Sequence, residues 1–139
     1  MLRKSLTALL VMLAGLSPGM AGGQRTRIDL APAERAHLLD GMRTYLASIE
    51  DITSALAVFK PDRVATAARR SGTRALADVS PETMLKLPFE FTSLSLVTHQ
   101  QFDALAERAE RHVSRTELLG DLAAILSSCN GCHAAFRVK

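Results

Sequence analysis

Apolar residues recur every three or four positions over residues 33–59, which is the period of one face of an α-helix. The apolar stripe consists of Leu38, Leu39, Met42, Tyr45, Leu46, Ile49, Ile52, Leu56 and Phe59. Pro32 suits the first turn of a helix, and Pro61 should end it because proline cannot continue the backbone hydrogen-bond ladder. The pattern predicts one long helix whose apolar face is buried.

The next fifty residues predict two more helices separated by a loop. Residues 61–77 are rich in Ala and Arg and predict a second helix, although Gly72 weakens its last third. Residues 78–88 contain two prolines and predict a loop with a helical turn through residues 82–85. Residues 88–113 predict a third helix. The side chains expected to be buried in the second and third predicted helices are Val64, Ala67, Ala68, Leu76, Phe91, Leu94, Val97, Phe102, Leu105 and Ala106.

The fourth predicted helix has the clearest start. Ser114 and Glu117 form a capping box, in which each side chain satisfies a free backbone donor of the other residue. Leu118, Leu122 and Ile125 then continue an apolar stripe towards the end of the chain. With no alternating strand pattern, we expect an all-α fold in which four helices form an antiparallel up-down-up-down bundle. Three helices are the alternative, should the second break at Gly72.

The first 21 residues have the pattern of a secretory signal peptide. A basic start at Arg3 and Lys4 precedes an apolar run over residues 5–16, and small residues follow up to Ala21. A membrane anchor is the alternative, but the apolar run is shorter than the ~20 residues needed to cross a bilayer. We therefore expect a periplasmic protein with no stable membrane insertion after processing. Residues 1–21 would be the signal peptide and residues 22–139 the mature domain.

The charge of the chain excludes one class of partner. The sequence holds 17 basic and 14 acidic residues, and two of the basic ones belong to the predicted leader, so the processed chain is nearly neutral. The sequence has no basic stripe with interleaved aromatic residues of the kind that binds along a phosphate backbone. We therefore expect no nucleic acid as a partner. A domain of this length can bury a core without disulfides, so the two cysteines need another explanation.

That explanation lies in the run Cys129-Asn130-Gly131-Cys132-His133. Two thiols at positions i and i+3 lie on one helical face and can add to the two vinyl groups of a haem. The adjacent histidine can then ligate the iron. The motif predicts one covalent haem c near the C-terminus, held by Cys129, Cys132 and His133.

Three other readings of the cysteine pair are weaker. A thioredoxin-like redox pair would follow a strand in an α/β pattern, which this sequence lacks. A zinc site would need a second pair of ligands, whereas His37, His99 and His112 are scattered singly along the chain. A plain disulfide would leave His133 without a role.

The tail from Cys129 through His133 to Phe136-Arg137, at the end of four predicted helices, resembles the class II cytochromes c, the cytochrome c-prime family. The resemblance implies a periplasmic four-helix bundle with one haem. Low-spin members place a methionine of the first helix on the iron and transfer electrons, whereas high-spin members are five-coordinate and bind nitric oxide or carbon monoxide. It also implies that Arg137 neutralises a haem propionate. A homodimer is common in that family, and the sequence leaves the oligomeric state open.

Met42 is our candidate for the sixth iron ligand. In an antiparallel bundle the start of the first helix lies beside the end of the last, where His133 sits. Met42 is on the apolar line of the first helix, and a thioether suits an iron that carries electrons. The alternative is that Met42 only packs in the core. His37 and Met84 are weaker candidates for the same role.

The expected function is one-electron transfer through the haem, with His133 and Met42 as axial ligands. A five-coordinate protein that binds nitric oxide or carbon monoxide is the alternative, and the spin state separates the two. We expect no enzyme activity, because the sequence offers no convincing acid–base group to stand over the iron. The redox partner protein cannot be read from the sequence.

Overall fold

The computed structural model describes residues 24–139, so the predicted signal peptide lies outside the described residues. Most of that part of the chain is helical, which confirms the all-α class. The elements, in chain order, are β1 (Thr26–Ile28), α1 (Pro32–Ala57), α2 (Pro61–Arg69), a 3₁₀ helix (Thr73–Asp78), α3 (Pro81–Met84), α4 (Phe89–Glu110), α5 (Arg115–Ala135) and β2 (Phe136–Val138). None of the described helices combines the length and apolar character needed to span a membrane.

Three of the four predicted helices are confirmed with small changes at their ends. They are α1, α4 and α5, and the helical turn expected in the loop is α3. At the start of α5, the Ser114 hydroxyl accepts from the Glu117 N–H, and the Glu117 carboxylate accepts from the Ser114 N–H at 3.0 Å. The capping box therefore forms as expected and fixes where the last helix begins.

The prediction of one helix over residues 61–77 was wrong, because α2 ends at Arg69 and a separate 3₁₀ helix follows. The carboxylate of Asp103 on α4 accepts hydrogen bonds from the N–H and hydroxyl of Thr73, at 2.9 and 2.7 Å. A side chain at Gly72 would place its Cβ only 2.0 Å from Asp103 Oδ1. The chain thus turns away from the α2 axis at a glycine that lies against a neighbouring carboxylate.

The four longer helices form a closed ring of contacts in which α1 packs on α2, α2 on α4, α4 on α5, and α5 on α1. Two hydrogen-bonded pairs show the relative direction of α4 and α5. Arg108 donates to Asp121 at 2.7 Å, and Ser128 donates to Gln101 at 2.9 Å, so residue numbers run in opposite senses along the two helices. Helices α1 and α2 are joined by a short link, as expected of antiparallel neighbours.

The buried apolar residues form two clusters. The main core lies among the four long helices, and a smaller end cluster, formed by Ile28, Phe91 and Phe136, lies where β1 and β2 pair. Leu46 and Val97, expected inside, are 68% and 46% exposed. The apolar stripe on each of these helices is wider than the face that its neighbours cover, and sequence periodicity does not report that width.

Two short strands were not expected from the sequence. Strand β1 pairs in parallel with β2, with Thr26 opposite Phe136 and Ile28 opposite Val138. Each strand is only three residues long, too short for an alternating pattern to emerge. Their pairing ties the first described residues of the chain to the segment that directly follows α5.

Candidate functional site

The motif of two cysteines and a histidine occupies the final turns of α5. Cys129 packs against the main core, and Cys132 packs against the end cluster. Both thiols are half-buried, whereas His133 is exposed. The two thiols are therefore only partly accessible to solvent, whereas the adjacent His133 is open to it.

The electrostatics of the two thiols differ from those of a reactive cysteine pair. Burial raises the pKa of Cys129 and of Cys132, and in Cys132 the neighbouring thiol adds to the effect. Redox-active cysteines commonly sit at the N-terminus of a helix, where the dipole lowers the thiol pKa. Here both sit at the opposite end. The pair does not have the low thiol pKa on which thioredoxin-like chemistry depends.

A cavity of about 310 Å³ beside the motif brings together most of the residues singled out in the sequence. Met42 of α1 lines it, together with Cys132, His133 and Arg137 from the other end of the chain. Cys129 lies one turn earlier and does not line it. The early part of α1 thus lies beside the end of α5.

Two further arginines at this cavity were not anticipated. Arg25 and Arg35 line it together with Arg137, and all three are exposed. Among the described residues, no carboxylate lies within ion-pair distance of any of the three. Arg35 lies seven positions before Met42, two helical turns away on the same face, a spacing that would have indicated its place. Arg25 precedes the unexpected strand, so no comparable pattern indicated it.

A second cavity, of about 1020 Å³, lies between α1, α4 and the segment over residues 73–88. Leu38, Met42 and Phe91 line both cavities, so Met42 stands where the two meet. The alternative ligand candidates His37 and Met84 line only the larger cavity. Of the three candidates for the sixth position, Met42 is the one that shares a cavity with His133.

Tyr45 and His99 form a hydrogen-bonded pair on the wall of the larger cavity. The His99 Nδ1 atom lies 2.8 Å from the carbonyl of Ser71 and 3.0 Å from that of Gly72, so Nδ1 carries the proton. The Tyr45 hydroxyl then donates to Nε2 at 2.5 Å. Burial raises the pKa of Tyr45 to about 12, and the nearby Cys129 and Cys132 thiols add to this shift. Both ring nitrogens of His99 are satisfied within the protein.

Within residues 24–139, no three or more His, Cys, Asp or Glu side chains are grouped so that they could hold a metal ion by themselves. The second ligand pair that a zinc site would need is therefore not assembled in this part of the chain. Comparisons of the chain with models of known protein families, with curated proteins and with solved structures found no match.

The side chains of the smaller cavity, together with Cys129 one turn earlier in α5, have the chemistry that suits an iron porphyrin. Two thiols on one helical face suit thioether attachment, and an imidazole and a thioether, from His133 and Met42, are common axial ligands of haem iron. Three guanidinium groups suit two propionates, because a carboxylate near an apolar site needs a cationic partner. The apolar walls formed by Leu38 and Phe91 suit the macrocycle.

Proposed function

We propose that this protein is a periplasmic c-type cytochrome of the class II kind, which carries one covalent haem and transfers single electrons. The observation that carries the proposal is the convergence of Met42, Cys132, His133 and Arg137 on one cavity. Two of these residues belong to a five-residue motif, and the other two come from separate elements. A cysteine pair with only a packing role would not require that convergence.

We also propose that the four long helices form an antiparallel up-down-up-down bundle. The closed ring of contacts and the opposite directions of α4 and α5 support this arrangement. Helix α2 alone is then the second member of the bundle, and the 3₁₀ helix that follows it packs on α4. This architecture explains why the beginning of α1 and the end of α5 share a cavity.

In this proposal Cys129 and Cys132 would hold the haem through thioether bonds, and His133 and Met42 would bind its iron. The group, once bound, supplies an iron that cycles between ferrous and ferric states. The chain's own contribution is to place the two ligands on separate helices and to keep one side of the site apolar. Arg35 and Arg137 would supply positive charge for the propionates. An electron carrier of this kind transforms no substrate.

The alternative function is binding of a small neutral gas such as nitric oxide or carbon monoxide. The larger cavity favours it, because about 1020 Å³ of space borders the half-buried Met42. If the thioether only packs, that space leads to an open coordination position.

Visible absorption spectra of the ferric and ferrous protein separate these two functions. The electron-transfer proposal predicts a low-spin spectrum in both states, with a methionine-sulfur charge-transfer band in the ferric form. A high-spin protein that binds carbon monoxide rapidly would instead support the gas-binding function. The mature N-terminus, expected near Gly22 in a periplasmic fraction, tests the proposed location.

A further inference from the structure

The residues of the motif lie where a helix is least well held. The last four carbonyl groups of a helix have no partner within it, and helix ends open more readily than their middles. Cys132 and His133 belong to this last turn of α5, which ends at Ala135. An imidazole placed there keeps a fixed position only if something outside the helix holds its end.

Residues 25–28, which we call the strap, lie against that end. Strand β1 pairs with β2 immediately after α5, and the Lys139 N–H extends the ladder by donating to the Ile28 carbonyl at 3.1 Å. Ile28 is only 2% exposed and packs with Phe91 and Phe136 in the end cluster. The Phe91 and Phe136 rings meet edge to face, with centroids 5.5 Å apart. The strap is therefore anchored by both backbone pairing and a buried side chain.

Arg25, at the start of the strap, contacts the motif directly. Its guanidinium donates to the carbonyl of His133, with 3.4 Å between nitrogen and oxygen. This carbonyl is one of those that the helix leaves free, and a cation near a helix C-terminus is stabilising because it opposes the negative end of the dipole. The neighbouring Cys132 carbonyl accepts from the Phe136 N–H, which is the last bond of the helix's own ladder. The His133 carbonyl is thus the first one beyond that ladder, and it is held by Arg25 from outside the helix.

We infer that the strap positions the imidazole of His133, with Arg25 and Ile28 as its positioning residues. The inference rests on the proposed function, because His133 needs a defined position only if it is an iron ligand. Arg25 acts on the backbone of His133, and Ile28 keeps the strap in place against the end cluster. Neither residue belongs to the motif, and neither would touch the iron.

The test compares Arg25→Ala with Arg27→Ala in the processed protein. Arg27 is a matched control, because it lies in the same strap but pairs with Asp29 at 2.6 Å. The readout is native-state hydrogen exchange of the backbone amides of residues 133–138. We expect exchange to become about two- to fivefold faster in Arg25→Ala, as loss of a cation at a helix C-terminus implies. Arg27→Ala should exchange like the wild type, and Arg25→Lys should recover most of the protection.

A second readout separates positioning from simple support. Ferric electron paramagnetic resonance reports how uniformly the axial ligands are held, and we expect its lines to broaden in Arg25→Ala and in Ile28→Ala but not in Arg27→Ala. Ile28→Ala should also speed exchange at least tenfold, because it removes a buried anchor.

Three outcomes would count against the inference. Equal exchange in Arg25→Ala and Arg27→Ala would show that Arg25 does not hold the helix end. Faster exchange with unchanged resonance lines would mean that the strap supports α5 without positioning His133. Wild-type protein without covalent haem would overturn both the proposed function and the role of the strap in positioning His133 as an iron ligand. The exchange comparison would still report whether the strap holds the end of the helix.

Discussion

Met42, ten residues into α1, and His133, in the last turn of α5, line the same cavity. Met42 is half-buried and is not among the residues that form or pack against the two described buried clusters. The proposed antiparallel bundle accounts for this relationship, because it brings the start of the first helix beside the end of the last. This relationship is the basis of the first prediction.

Met42→Ala should open the sixth coordination position. The ferric protein should change from low-spin to high-spin, and the ferrous protein should bind carbon monoxide rapidly. The reduction potential should be lower than in the wild type, because the thioether favours ferrous iron. The expected loss of stability is about 1–3 kcal/mol, below that of a fully buried methionine, because Met42 is half-buried. Spectra and a potentiometric titration measure these changes.

Met84→Ala is the matched control for that experiment. Met84 lines only the larger cavity and is 43% exposed, so its removal should leave the spin state unchanged. A low-spin spectrum that survives in Met42→Ala and disappears in Met84→Ala would show that the ligand had been assigned to the wrong methionine.

Arg137→Gln should lower the reduction potential. A positive charge near the haem favours the ferrous state, which carries one positive charge less than the ferric state. The expected shift is on the order of tens of millivolts. Arg111→Gln is a suitable control, because Arg111 lies beyond the end of α4 and outside the lining of both cavities. Equal shifts in the two variants would contradict a specific role for Arg137.

The single tyrosine of the chain gives a direct test of the Tyr45–His99 pair. Its pKa of about 12 lies above the ordinary value of 10, so the absorbance change that marks its ionisation should occur at a higher pH than in free tyrosine. In the unfolded chain Tyr45 loses its proton near pH 10, and in the folded chain only near pH 12. The stability that this neutral hydroxyl contributes is therefore complete below pH 10 and falls as the pH rises towards 12, by roughly 2 kcal/mol. Ionisation near pH 10 in the folded protein would contradict this environment.

Gly72→Ala should destabilise the protein by about 1–3 kcal/mol. The new Cβ would force the Asp103 carboxylate away and break its hydrogen bonds to Thr73. Gly120→Ala is the control, since a Cβ there meets nothing within 4 Å and alanine is the better helix former. It should be neutral or stabilising in thermal unfolding. Equal effects of the two substitutions would show that the approach of Asp103 to Gly72 does not constrain the chain.

The sequence predicted those parts of the fold that depend on neighbouring residues. The long helices and the Ser114 capping box follow from periodicity and local hydrogen bonding. Gly72 indicated where the second helix could break, but the contacts of Asp103 with Gly72 and Thr73 involve a residue distant in sequence, which no local pattern reports. The two strands were not predicted for the same reason, because each three-residue segment forms a strand only by pairing with a segment at the other end of the chain.

The residues of the candidate site also differ in whether neighbouring positions in the sequence could reveal them. Cys129, Cys132 and His133 are consecutive enough to be recognised as a motif, and Met42 followed from helix direction. Arg25 and the Tyr45–His99 pair depend on contacts between distant segments, which no local pattern records. Leu46 shows the opposite failure, because it fits the apolar stripe of α1 and yet is 68% exposed.

The most direct test of the central claim is the intact mass of the protein purified from a host able to mature cytochromes c. We predict the mass of the processed chain plus one haem, with colour that remains after denaturing electrophoresis. Cys132→Ser should impair attachment, whereas Ser128→Ala, a change beside the motif that removes no thiol, should not. A colourless wild-type protein with the mass of the bare processed chain would contradict the account.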